Sequence, residues 1–228
     1  MFKAILGFIA TVLASSGCLA AELTATETRW LQGLWPVVVF AKEAGLALDI
    51  VVQPQPTPGV APLALAFVGG RCKLVLSMRG NPEAQATLER IAPALLDPTL
   101  ELMAAHELGH CKRYVDGDWH GLPSGFARGD PGPSGAAPRA DDTQAAAERR
   151  EEAYGDLVGL AWTQRQHRPQ YAALHAWLLA ERSMDLVPGS PHDTLAWVRL
   201  AGDGAALLQP SLFAGVAALW AAGLTLDD

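Results

Sequence analysis

Basic residues are scarce and scattered through this chain. Charged residues are only 18% of it, and the net charge is −7. Binding to nucleic-acid phosphates needs a basic patch, so that class of partner is excluded. Long apolar runs are also missing. The run from Ala4 to Ala14 is too short to span a bilayer comfortably. Ser211 to Leu226 is longer, but Pro210 precedes it and no basic flank follows, so it reads as a buried core helix. Cysteine is nearly absent, with only Cys18, Cys72 and Cys111. No internal repeat is evident.

The N-terminus reads as an export signal. Lys3 is the only early charge, the apolar run follows it, and small residues fill positions 15–21. Cleavage after Ala20 leaves Cys18 and Ala20 at the two small-residue positions. The expected mature chain, 21–228, is a single exported, periplasmic domain, half of the sequence being hydrophobic. A second reading makes Cys18 a lipid-modified N-terminus. Ser15 argues against it, standing three residues before the cysteine, where lipoprotein signals usually place Leu. Cys72 and Cys111 then remain as an even pair in an exported chain. That suggests one disulfide, the alternative being two buried thiols.

The pattern along the chain is mostly helical. Residues 22–45 predict a helix with a break at Pro36. Residues 46–52 are rich in β formers. Two strands are predicted around Gly69-Gly70, a hairpin signal. Asn81 caps a short helix that starts at Pro82. Another helix is expected from Asp97-Pro98 to about Val115. Residues 116–140 are rich in Gly and Pro and predict a long flexible loop, a kind that is usually functional or disordered. Helices follow from Asp141 or Asp142 to His167, from Pro169 to Ser183, and, with interruptions, from Thr194 to Leu226.

Residues 106–110 read His-Glu-Leu-Gly-His. On a helix, residues four apart share a face, so His106 and His110 can offer their imidazoles to one metal ion. Glu107 sits one step round, where it can take a proton from water activated by that metal. A glycine in mid-helix costs about 1 kcal/mol relative to Ala, so Gly109 suggests that something packs closely there.

A catalytic zinc commonly has three protein ligands. Asp116, His120, Glu151 and Glu152 are candidates for the third. Asp116 falls six residues after His110, where one extension of the motif places a ligand, but that extension needs a glycine where Arg113 stands. Glu152 is preferred because Asp156 lies one turn on, able to accept the second N–H of a ligating histidine and fix its tautomer. Glu151 has Gly155 at that offset. Gly155 and Gly159 would let this helix approach the first one closely.

The paired patterns, H-E-x-x-H over 106–110 and E-x-x-x-D over 152–156, resemble those of the gluzincin metallopeptidases, and most of all the M48-type peptidases. The resemblance covers residues 63–115 and 148–162. It implies an α+β, zincin-like fold, mostly helical, with a small β-sheet or hairpin before the zinc helix and substrate laid along an edge strand. It also implies a zinc metalloendopeptidase acting on a peptide or protein substrate. Zinc would be held by His106, His110 and Glu152, with Glu107 as general base and Asp156 orienting a ligand. A late histidine, here His192, or Arg199 after it, would face the oxyanion; the other reading of His192 is a turn in which Asp193 caps the next helix. Tyr154 is an outside candidate for that donor. The rival is a catalytically silent zinc-binding envelope protein acting as a partner or assembly factor.

Overall fold

The computed structural model describes residues 22–123, 126, 140–184 and 186–226. The predicted export segment, Cys18 and most of the predicted 116–140 loop lie outside them. Helix α1 (Ala25–Glu43) starts at a capping box in which Thr24 and Glu27 satisfy each other's backbone N–H groups. The predicted break at Pro36 does not occur, and α1 runs through it. Pro36 is on the exposed side of the helix, where water can serve the carbonyl it leaves unbonded. Buried Trp30, Leu34, Val37 and Ala41, on either side of it, hold the helix to the core.

Strands β1 (Leu48–Pro54), β2 (Leu63–Val68) and β3 (Arg71–Arg79) form a sheet of order β1-β3-β2. β1 runs parallel to β3, pairing Leu48 with Cys72, and β2 runs antiparallel to it, pairing Leu63 with Leu76. The hairpin between β2 and β3 turns on Gly69 and Gly70, both at positive φ (61° and 74°), as a two-residue turn of matching twist requires. β2 is therefore an edge strand with one side unpaired among the described residues. Helix α2 (Pro82–Arg90) is capped by Asn81 as expected.

Helix α3 (Leu96–Asp116) runs through the centre and buries Leu100, Ala104, Ala105 and Leu108. Helix α4 (Ala140–Gln166) packs along it, and α5 (Tyr171–Ser183), α6 (Leu195–Leu200) and α7 (Ala214–Leu224) complete the helical side. The fold is thus α+β, mostly helical, with a small sheet ahead of α3. The apolar C-terminal stretch is a buried helix, with Val216, Trp220 and Leu224 in the core. No helix among the described residues is long and apolar enough to cross a membrane.

Candidate metal centre

Glycines bring the two motif helices together. A Cβ on Gly109 of α3 would lie 3.1 Å from the Gly155 Cα of α4. A Cβ on Gly155 would lie 2.8 Å from the His106 ring, and one on Gly159 would lie 2.9 Å from the Leu102 carbonyl. A side chain at Gly155 or Gly159 would force its neighbour to shift, Gly109 is nearly as tight, and the close contact sets His106 against α4. The Cys72–Cys111 disulfide, with Cα atoms 5.7 Å apart, ties α3 to the middle strand one residue after His110.

The side chains His106, His110 and Glu152 converge. His106 Nε2 and His110 Nε2 are 3.0 Å apart, and each lies 3.4 Å from an oxygen of Glu152. His106 Nδ1 donates to Asp156 Oδ1 at 2.9 Å, which turns Nε2 toward the cluster. Asp156 is fully buried and accepts from two further donors: the Arg182 guanidinium (2.6 and 2.8 Å) and the Thr194 hydroxyl (2.6 Å). Arg182 also donates to Glu152 at 3.2 Å and to His192 Nδ1 at 2.9 Å. The same Nδ1 lies 3.3 Å from Glu152 Oε2. The His192 side chain is 70% exposed and stands at the rim.

Burial disfavours a charge on His106, but the Glu152 and Asp156 carboxylates outweigh it, and its pKa is pushed up to about 10. Burial raises the Glu152 carboxyl too, but His106, His110 and His192 hold it well below the usual carboxylate range. Asp156 is likewise lowered against its burial by Arg182 and His106. Burial raises Glu107, an effect its histidine neighbours oppose. The cluster is a place where positive charge is strongly favoured.

These residues fit a metal ion. Three ligand atoms, one from each of His106, His110 and Glu152, lie within 4.8 Å of one another. A tetrahedral ion with ligand bonds of about 2.0–2.1 Å sets its ligands about 3.3 Å apart; here the two imidazole nitrogens are 3.0 Å apart and each lies 3.4 Å from a different oxygen of Glu152. His110 Nδ1 is buried without a partner, so of the two imidazoles only His106 is held by a carboxylate behind it.

A cavity of about 530 Å³ opens over the cluster. His106, Glu107, His110, Glu152, Asp156 and His192 all line it, as do Leu63, Ala64 and Leu65 of the edge strand. The other candidates lie elsewhere. Asp116 pairs with Lys112 at 2.6 Å. Glu151 is consumed by Arg113 (2.9 and 3.1 Å) and by the His120 backbone N–H (2.8 Å). His120 is stacked on Trp119 instead of reaching the cluster. Tyr154 packs on Trp220, beyond α4, and Arg199 does not line the cavity. Asp193 does not cap α6: it accepts from Gly189 N–H, and the residue at the cap is Thr194, whose hydroxyl goes to Asp156.

Sequence reasoning missed Arg182, the group that joins Glu152, Asp156 and His192. It lies in the last turn of α5, at no fixed spacing from either motif. Thr194 was missed for the same reason. In comparisons with known proteins, no family model, curated protein or solved structure matches the chain.

Proposed function

We infer that this chain is an exported zinc metallopeptidase of zincin-like architecture, cleaving peptide bonds in peptides or proteins. The observation that carries this reading is the convergence, in one cleft, of the His106–His110–Glu152 ligand set, a free carboxylate at Glu107 and the unpaired edge of β2. Two nitrogens and a carboxylate with room for a fourth ligand suit a catalytic zinc, whereas structural zinc sites are closed by four protein ligands. The disulfide is compatible with export.

When bound, zinc supplies Lewis acidity to the scissile carbonyl and makes water a stronger acid. The protein's residues supply the rest. The free N–H and C=O groups of β2 pair with an extended substrate and hold it across the cleft. Glu107 takes a proton from the attacking water and delivers it to the leaving amine. His192, at the rim beside Glu152 and Arg182, donates to the oxygen that gains charge. Asp156 keeps His106 in the ligating tautomer, and Arg182 balances the two carboxylates it touches.

The test is hydrolysis of a mixed pool of quenched fluorescent peptides by the zinc-loaded mature protein, beside Glu107→Gln. Loss of a general base costs about 10²–10⁴-fold in rate. The expected result is cleavage that falls by that factor in Glu107→Gln while zinc content stays unchanged. Zinc binding with no cleavage of any peptide would instead favour a silent zinc-binding envelope protein.

A further inference from the structure

Aromatic rings are stacked along one side of the cleft. Phe67 of β2 lies on Tyr114 of α3, with centroids 5.0 Å apart and planes 6° from parallel. Tyr114 lies on Trp119 at 3.9 Å and 11°. Trp119 then presents its ring to His110 edge-on, at 5.6 Å. Tyr114 and Trp119 are half-buried, and both line the cavity that holds the ligand set.

The turn that carries Trp119 is held in place. Gly117 ends α3 in the left-handed region (φ 77°), and His120 adopts φ 61°, a conformation rare for a residue with a side chain. The backbone around it is tied to the buried Arg113–Glu151 pair, with His120 N–H donating to Glu151 and Arg113 donating to the Gly121 carbonyl at 2.7 Å.

Trp119 also differs from the tryptophans of the core. Trp30, Trp162, Trp197 and Trp220 each donate the indole N–H to a protein acceptor, as buried indoles do. Trp119 has no acceptor among the described residues. A rigid aromatic ring that lines the cavity beside a candidate ligand histidine is what a side-chain subsite needs.

We propose that Tyr114 and Trp119 form a specificity subsite for an aromatic side chain of the substrate, next to the scissile bond on the His110 side of the cleft. This rests on the peptidase reading and names its substrate class. The incoming ring packs against the part of the Trp119 indole that lines the cavity, and the stack on Tyr114 and Phe67, with His120 stacked on Trp119 at 5.1 Å, keeps that indole from yielding.

The experiment has two arms. Quenched Ala/Gly octapeptides with a single Phe moved one position at a time are assayed for kcat/KM with wild type, Trp119→Ala and Trp119→Phe. The same peptides without the quencher are titrated by fluorescence anisotropy onto zinc-loaded Glu107→Gln, with and without Trp119→Ala, so that recognition is read apart from turnover. The expected result is one position at which Phe exceeds Ala by about tenfold or more in both arms. Trp119→Ala abolishes the preference, Trp119→Phe keeps most of it, and zinc content is the same throughout. Cleavage with no aromatic preference, or a preference that survives Trp119→Ala, overturns the subsite and leaves the peptidase reading standing. If wild type cuts nothing, the peptidase reading falls. The subsite falls with it unless Glu107→Gln still binds the Phe peptides about tenfold more tightly than their Ala counterparts.

Discussion

Glu151 and Glu152 are neighbours on one helix and share a side-chain chemistry, yet they do opposite things. Glu151 is 1% exposed and receives three N–H donors, two from Arg113 and one from His120. Arg113 itself packs on two rings, its guanidinium 4.5 Å from the Trp220 ring and 5.3 Å from that of Tyr154. That carboxylate has no capacity left and serves as a brace behind α3. Glu152 has only long contacts, from Arg182 at 3.2 Å and His192 Nδ1 at 3.3 Å, and its oxygens face two further imidazole nitrogens at 3.4 Å. What separates brace from ligand is donor saturation, not residue type: helical rotation turns one acid to each face of α4, and the partners waiting there decide the role.

The comparison predicts different failures on the two faces. Breaking the brace has the larger effect on stability. Removing one member of a buried ion pair typically costs 3–5 kcal/mol, because the other charge is left uncompensated. Glu151→Ala is therefore expected to lower unfolding free energy by about 3–5 kcal/mol in urea denaturation with the disulfide intact. A change under about 1 kcal/mol would mean that Arg113 finds another partner.

On the metal face, Asp156→Asn should act on affinity. Partners that orient a ligating histidine are typically worth about 10–100-fold in metal binding. Competition with a chromogenic chelator should show a loss in that range, and equal affinity would mean that His106 needs no carboxylate behind it.

An exposed pair provides the smallest effect. Asp49 and Arg71 meet at 2.6 Å, but their side chains are 36% and 51% exposed. The hydrogen bond from Arg71 holds the Asp49 pKa down at about 2. A depressed carboxylate contributes stability above its unfolded pKa and loses it as pH falls through the folded value, here from about 4 down to about 2. Solvent screening keeps that contribution small. Asp49→Asn should leave the melting temperature at pH 7 nearly unchanged, and a clear drop would show a surface pair behaving like the buried one.

Local periodicity made much of this architecture readable. The four-residue spacing that puts His106 and His110 on one face is a property of any helix, and so is the spacing of Glu152 and Asp156. The hairpin glycines, the Asn81 cap and the small residues at 109, 155 and 159 are likewise local signals, and each one is used as expected. What could not be read depends on the tertiary fold. Arg182 and Thr194 reach Asp156 from separate elements, with no pattern linking them to the motifs. Pro36 was misjudged because its local cost is outweighed by the core packing of residues on both sides. Glu151 and Glu152 are separable in sequence only by what lies one turn further on, and no local pattern ties Glu151 to its partner Arg113 on another helix.

The most direct measurement is zinc per chain, by elemental mass spectrometry, on purified wild type, Glu152→Ala and Glu151→Gln, all checked for folding. The account predicts about one zinc in wild type and in Glu151→Gln, with most of it lost in Glu152→Ala. Zinc retained by Glu152→Ala, or lost with Glu151→Gln, would contradict the assignment of ligand and brace.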